Sequence, residues 1–288
     1  MVKSRAISVD VHLLLSMPDG DLGFLSADFS RELSKLEPSR QQRILRKLAL
    51  AALGSIPWVG GFMAAIASIK EDEAQSGKDN LQRQWLEEHA KKIKELADTL
   101  SAMLERLNSF GDQVKERLES EEYLNLIRMG FRKWDEAATS EKKRLIANLL
   151  TNSGASRLTS DDVIRLFLDW IEMYHEIHFA VIREVYQHPG TTRHAIWKDI
   201  HSTFPREDSA EADLFRMLIR DLSMGGVIRQ HRETTYSGEF VAKKPQRGTR
   251  ASGVMKSAFD SEEPYELTEL GRQFVHYTMQ EVVPRVEG

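Results

Sequence analysis

Apolar and charged positions follow a helical period along most of this chain, and one stretch breaks the rhythm. Leu48 to Ile69, LALAALGSIPWVGGFMAAIASI, holds no charged side chain although 29% of the residues are charged. A straight helix of that length would reach across a bilayer, which takes about 20 residues. The middle of the stretch predicts a hairpin instead. Gly54 is placed to end one helix, Ser55 to cap the next, and Pro57 to occupy a first helical turn while breaking an interior one. The first arm, Gln41 to Leu53, begins amphipathic with Arg43, Arg46 and Lys47; the second, Trp58 to Ile69, ends at Lys-Glu-Asp-Glu. At 1.5 Å per residue each arm is roughly 20 Å long, short of the ~30 Å hydrocarbon core. Small residues recur at every fourth position, Gly60, Ala64 and Ser68 in one row and Gly61 and Ala65 in the next, a spacing that admits a close helix neighbour. A hairpin buried in its own helical core is the expected resting state. Exposure on triggering or oligomerisation is the second possibility.

Next comes the most periodic segment. Leu86, Ile93, Leu100, Leu107 and Val114 recur every seven residues, and His89, Leu96, Met103 and Phe110 follow three residues after the first four of them. Alternating steps of three and four predict a long helix over 80–119 with a mostly apolar seam. The seam needs a partner, either the same helix of a second copy in a coiled coil or the other helices of this chain. Phe110 and Met103 are bulky for a two-stranded seam and Gly111 weakens continuity, which favours the intramolecular bundle. Two shorter helices follow, one with Leu124, Ile127, Phe131 and Trp134 on one face, the other with Ser140 as candidate cap, Leu145, Ile146, Leu149 and Leu150 inward, and Gly154 as stop. The hairpin followed by a long helix loosely resembles α-helical membrane-active proteins of the pore-forming type, over the N-terminal half alone.

Beyond a helix start near Ser160, helical spacing continues to Pro189 and Gly190, and then the grammar changes. A short helix opened by threonines leads to a helix ended by Gly225 and Gly226, a strand-like VIRQH, a strand from Tyr265 to Leu267, and a last helix capped by Thr268. Helix, helix, helix, strand, strand, helix fits a winged helix. LFRMLIRDLSMGGVIRQ followed by YELTELGRQFV is similar to winged-helix regulators of the MarR and PadR type, over roughly His175 to Met279. The resemblance implies a recognition helix plus first wing strand in the first string and closure of the wing in the second.

The helix in the recognition position sets Glu211, Asp213 and Asp221 against Arg216 and Arg220, a poor surface for a polyanion. Within the long wing, 230–264, the stretch VAKKPQRGTRASGVMK carries Lys243, Lys244, Arg247, Arg250 and Lys256 and no acid, and could follow a phosphate backbone or bind a partner.

A chain of 288 residues has room for two cores, and its net charge of −4 marks no global affinity for nucleic acid. Without cysteine there is no disulfide framework or thiolate chemistry, and a cytoplasmic location is permitted. The opening residues show no signal-peptide pattern. Ser140 and Lys143 make an S-x-x-K string without its companion motifs, so a helix cap is expected there and no catalytic residue. His175 and His178 stand one turn apart with His188, His194 and His201 downstream, but no third ligand can be assigned, so no metal and no cofactor are expected.

The sequence thus predicts a mainly α protein: an N-terminal segment 1–40, a helical bundle 41–158 holding the hairpin 48–69, and a winged-helix module 159–288. The expected function is a non-enzymatic switch or effector. Its winged helix binds a protein or nucleic acid, while its N-terminal helices form a homo-oligomer or contact a membrane on activation. The alternative is a soluble, dimeric winged-helix transcription regulator that binds DNA.

Overall fold

The structure is a computed structural model that describes residues 40–62, 64, 80–110, 114–231, 236–237 and 257–279. The chain is mainly helical with one small antiparallel sheet, and it divides into two compact units between Leu168 and Asp169.

Unit 1 is helical through most of its described residues. Helix α1 (Arg40–Ser55) buries Ile44, Leu48 and Ala52, four residues apart, and exposes Arg43, Arg46 and Lys47. The helix breaks at Ile56, and residues 57–62 form a further helical segment that buries Val59 and Phe62. The break therefore falls in the expected place, with two differences of detail. Gly54 lies inside α1, and the Ser55 hydroxyl donates to the Ala52 carbonyl (2.7 Å) in place of capping the next segment. What ends α1 is Pro57, which has no N–H to continue the ladder. The far end of the second arm, with Ala65 and Ser68, lies outside the described residues. Among the described residues no helix is long and apolar enough to cross a membrane.

Helix α2 (Asn80–Ser109) packs Leu96, Leu100, Met103 and Leu107 against α5, so that part of the heptad seam is covered within the chain. The helix stops ten residues before the expected end at 119. Val114, read from sequence as its last seam position, instead precedes a separate short helix, α3 (Lys115–Glu119), and both Val114 and Leu118 are buried. Gly111, between α2 and α3, lies outside the described residues.

Helix α4 (Glu121–Glu136) is capped by Ser120, whose hydroxyl accepts from Tyr123 N (3.3 Å), and buries Leu124, Ile127, Phe131 and Trp134 as their spacing predicts. It packs between α1 and α5 (Ser140–Ala155). The cap of α5 is Thr139, which accepts from Lys142 N; Ser140 is the first helical residue and exposed. Gly154 does not stop the helix. A Cβ there would stand 2.5 Å from the Tyr123 hydroxyl oxygen, so its place is a close crossing of α4 and α5. The Tyr123 hydroxyl donates to the Leu150 carbonyl (2.9 Å) beside it.

α5 also buries Asn148, Thr151, Asn152 and Ser153, a polar row within an apolar bundle. Buried polar groups need partners. Arg106 of α2 donates to Asn148 Oδ1 (2.9 Å) and Asn152 Oδ1 (3.3 Å), and Arg117 donates to the Ser153 carbonyl (3.3 Å) and to both carboxylate oxygens of Asp161.

The division between units falls inside α6 (Asp161–Met173). Unit 2 continues through α7 (Glu176–Gln187), β1 (Thr191–Thr192), α8 (Arg193–Ile200), α9 (Ala210–Met224), β2 (Ile228–Gln230), β3 (Pro264–Leu267) and α10 (Glu269–Thr278). The strands lie in the order β1-β3-β2, all antiparallel, with Thr191 opposite Tyr265 and Ile228 opposite Leu267. Strand β1 has no counterpart in the sequence reading. Two residues are too few to show alternation, and Thr192 doubles as the cap of α8, accepting from Ala195 N. The core joins Phe179 and Val185 of α7, Leu218 and Leu222 of α9, Tyr265 and Leu267 of β3, and Phe274 of α10, which meets Trp170 edge-on at 5.5 Å.

Candidate functional site

The string Tyr265-Glu-Leu-Thr-Glu-Leu-Gly-Arg272 explains itself residue by residue. Tyr265 is buried, its hydroxyl accepting from Nε and a terminal nitrogen of Arg193 (2.9 and 2.7 Å), which ties β3 to the start of α8. Leu267 is core. The Thr268 hydroxyl donates to the Gly226 carbonyl (2.6 Å) and accepts from Gly271 N (2.9 Å), so one side chain closes the exit of α9 and opens α10. At Gly271 a Cβ would stand 2.2 Å from the Val227 carbonyl oxygen. Arg272 donates to the Leu267 carbonyl (3.1 Å) and pairs with Glu269. The exit itself needs Gly226 in the left-handed region, at φ +72°.

These contacts fix α9, whose outward face carries exposed apolar side chains. Ser209 caps it, accepting from Ala212 N (3.2 Å), while Phe215, Leu218, Ile219 and Leu222 point inward. Outward, Leu214, Met217 and Met224 are 43%, 37% and 80% exposed. Of its two arginines, Arg216 pairs with Asp213 and Glu207, whereas Arg220 is exposed. Glu211 and Asp213 are exposed beside them.

The segment between β2 and β3 is anchored at both ends. At its start, Gln230 donates to Glu263 (2.6 Å), and Glu266 pairs with Arg229 and His231 (2.8 Å each). At its end, Ser257 Oγ and Ala258 N both donate to Glu207, and Phe259 enters an aromatic cluster with Trp197, Phe204 and Phe215. Partial burial would raise the pKa of Glu207, but the Ser257 and Ala258 donors and the Arg216 charge outweigh it and hold the carboxyl below its ordinary value. A folded-state value below the unfolded one gives stability that is present above pH 4.5 and is lost as the pH falls through the folded pKa. Glu207→Gln is therefore expected to lower Tm at pH 7 and to flatten the decline of Tm between pH 5 and pH 3. Parallel acid limbs for the two proteins would show that Glu207 is not held this way.

The wing cations expected to contact a partner, Lys243, Lys244, Arg247, Arg250 and Lys256, lie outside the described residues. Of the hairpin residues, Gly54, Pro57, Gly60, Gly61 and Ala64 are exposed, and a Cβ on any of the three glycines would meet nothing within 4 Å. No close helix neighbour occupies that small-residue row among the described residues. Trp58 is the anchored member: its indole N–H donates to both oxygens of Asp135 (2.9 Å each), and its ring meets His89 edge-on at 4.7 Å in a nest with Phe62 and Trp85. That nest places His89, a polar member of the heptad seam, among aromatic rings.

Lys143 of the S-x-x-K string pairs with Glu95 (2.6 Å) and lies 4.4 Å over the Trp134 ring, a structural use of its charge. His175 and His178 form a capping box at the start of α7. His188 stands apart from them, gathered with Glu184 and Asp199. The sequence reading missed both acids, although Glu184 and His188 have the four-residue spacing that places two side chains on one helix face. Comparison of the chain with protein-family models, with curated proteins and with solved structures found no match.

Proposed function

We propose that this chain is a non-enzymatic switch or effector. Unit 2 is a winged-helix module that docks a partner protein on α9, and unit 1 is the arm that oligomerises or engages a membrane on activation. The order helix, strand, helix, helix, strand, strand, helix, with β3 central in the sheet, supports the winged-helix reading. The observation that carries the partner class is the outward face of α9. Three large apolar side chains are exposed there beside Glu211 and Asp213, and one of the two arginines is neutralised by two acids. Such a face repels phosphate and suits apolar side chains ringed by lysine or arginine. In unit 1 the exposed small residues Gly60, Gly61 and Ala64 support close approach of a further helix.

A photo-cross-linking residue at Met217, introduced in the native cell, is expected to capture protein and to lose the adduct when Leu214→Asp is added. The second reading, DNA binding through the wing, rests on the five cations between 243 and 256. Nucleic-acid adducts at position 217, or salt-sensitive duplex binding abolished by neutralising Lys243, Lys244 and Arg247, would put it in place of the first.

A further inference from the structure

We propose that Glu184, His188 and Asp199 form a divalent-cation site of the zinc type, separate from the α9 face. Glu184 and His188 project from the C-terminal end of α7, and Asp199 comes from the last turn of α8. One donor atom from each lies within 4.8 Å of the other two. An imidazole nitrogen with two carboxylate oxygens is a donor set that Zn2+ accepts, at bond lengths of roughly 2.0–2.2 Å. Donors at that distance around a tetrahedral ion stand about 3.4 Å from one another, within the 4.8 Å that already encloses these three.

Charge is the second, independent pointer. Glu184 is a buried carboxylate, 9% exposed, and its partner is His188, whose Nδ1 lies 2.6 Å from Oε1. Among the described residues neither Glu184 nor Asp199 pairs with a lysine or arginine. A buried carboxylate is ordinarily matched by a permanent positive charge. Here its partner is the imidazole of His188, and a second carboxylate, Asp199, stands beside the pair. A bound dication supplies the missing charge, and the Glu184–His188 hydrogen bond gives way to two metal bonds.

Access and coordination number agree with this. The His188 side chain is 61% exposed and Asp199 is exposed, so an ion enters from solvent and the fourth position is open to water. Occupation would clamp α7 to α8 across Gly190 and β1, stiffening the edge of the sheet.

The test uses the 288-residue chain stripped with chelator and titrated with ZnCl2 by calorimetry, with Tm followed in parallel. Wild type is expected to take up zinc with a rise in Tm. His188→Ala and Asp199→Asn, both at exposed positions and expected to keep the wild-type circular dichroism, should each weaken binding at least about tenfold, since even outer-shell losses at metal sites cost 10–100-fold. Co2+ should give a visible absorption band that His188→Ala removes. The site is overturned by no zinc uptake, by the same affinity and Tm shift in both variants as in wild type, or by uptake of Mg2+ in preference to Zn2+. None of these outcomes depends on which partner α9 binds.

Discussion

Arg117→Ala is expected to destabilise unit 1 by about 3 kcal/mol, the size typical of breaking a buried ion pair from one side. The Arg117 and Asp161 side chains are only 10% and 24% exposed. Alanine would strand the Asp161 carboxylate, leave the Ser153 carbonyl without its 3.3 Å donor, and remove a guanidinium lying 5.2 Å over the Tyr123 ring. The double variant Arg117→Met, Asp161→Leu should recover much of the loss, because it removes both charges and keeps the volume. Urea denaturation of wild type, Arg117→Met, Asp161→Leu and the double variant measures the coupling, with Arg117→Ala followed beside them. A loss below 1 kcal/mol in Arg117→Ala would mean that solvent already screens the pair.

Gly271→Ala should cost unit 2 about 3 kcal/mol. The sign is the informative part, because Gly271 lies in the first turn of α10, and within a helix alanine is ordinarily favoured over glycine by up to ~1 kcal/mol. The added Cβ would collide with the Val227 carbonyl oxygen and approach its carbon to 3.1 Å, atoms of main chain that cannot rotate away. Val227 O also accepts from Thr268 N (3.0 Å), so moving it disturbs the junction of β2, β3 and α10. Gly61→Ala, where nothing lies within 4 Å, is the matched control and should leave Tm unchanged or slightly raised. Equal thermal shifts in the two variants would show that the α10 crossing has room to relax.

How far these features are legible in the sequence depends on whether a residue's task is local. Apolar spacing located the buried faces of α4 and α5, and Thr268 was recognisable as a cap because its partner lies three residues away. Tasks set by distant chain were hidden. Gly154 looks like a helix stop until Tyr123 is seen against it, and Gly271 looks like an ordinary helical glycine until Val227 is. Val114 fits the heptad count yet stands at the start of a separate helix, since periodicity persists across a break that keeps the same core side. The α9 face was half readable: its acids are plain in the sequence, whereas the capture of Arg216 by Glu207 depends on a loop preceding the helix. Glu184 and His188 share the four-residue spacing of one helix face, but Asp199 belongs to a different helix and no spacing rule joins it to them.

The anchoring of the stretch between His231 and Ser257 has an evolutionary consequence. His231 N donates to the Pro264 carbonyl (2.8 Å) on one side, and Glu207 and the Phe259 aromatic cluster hold the other. Both stumps are thus secured by residues that do not belong to the stretch itself, and the closure entropy of a chain segment grows slowly with its length, by about 0.6 kcal/mol per doubling. Selection can therefore lengthen, trim or re-charge this insert as an exchangeable cassette without renegotiating the domain that carries it.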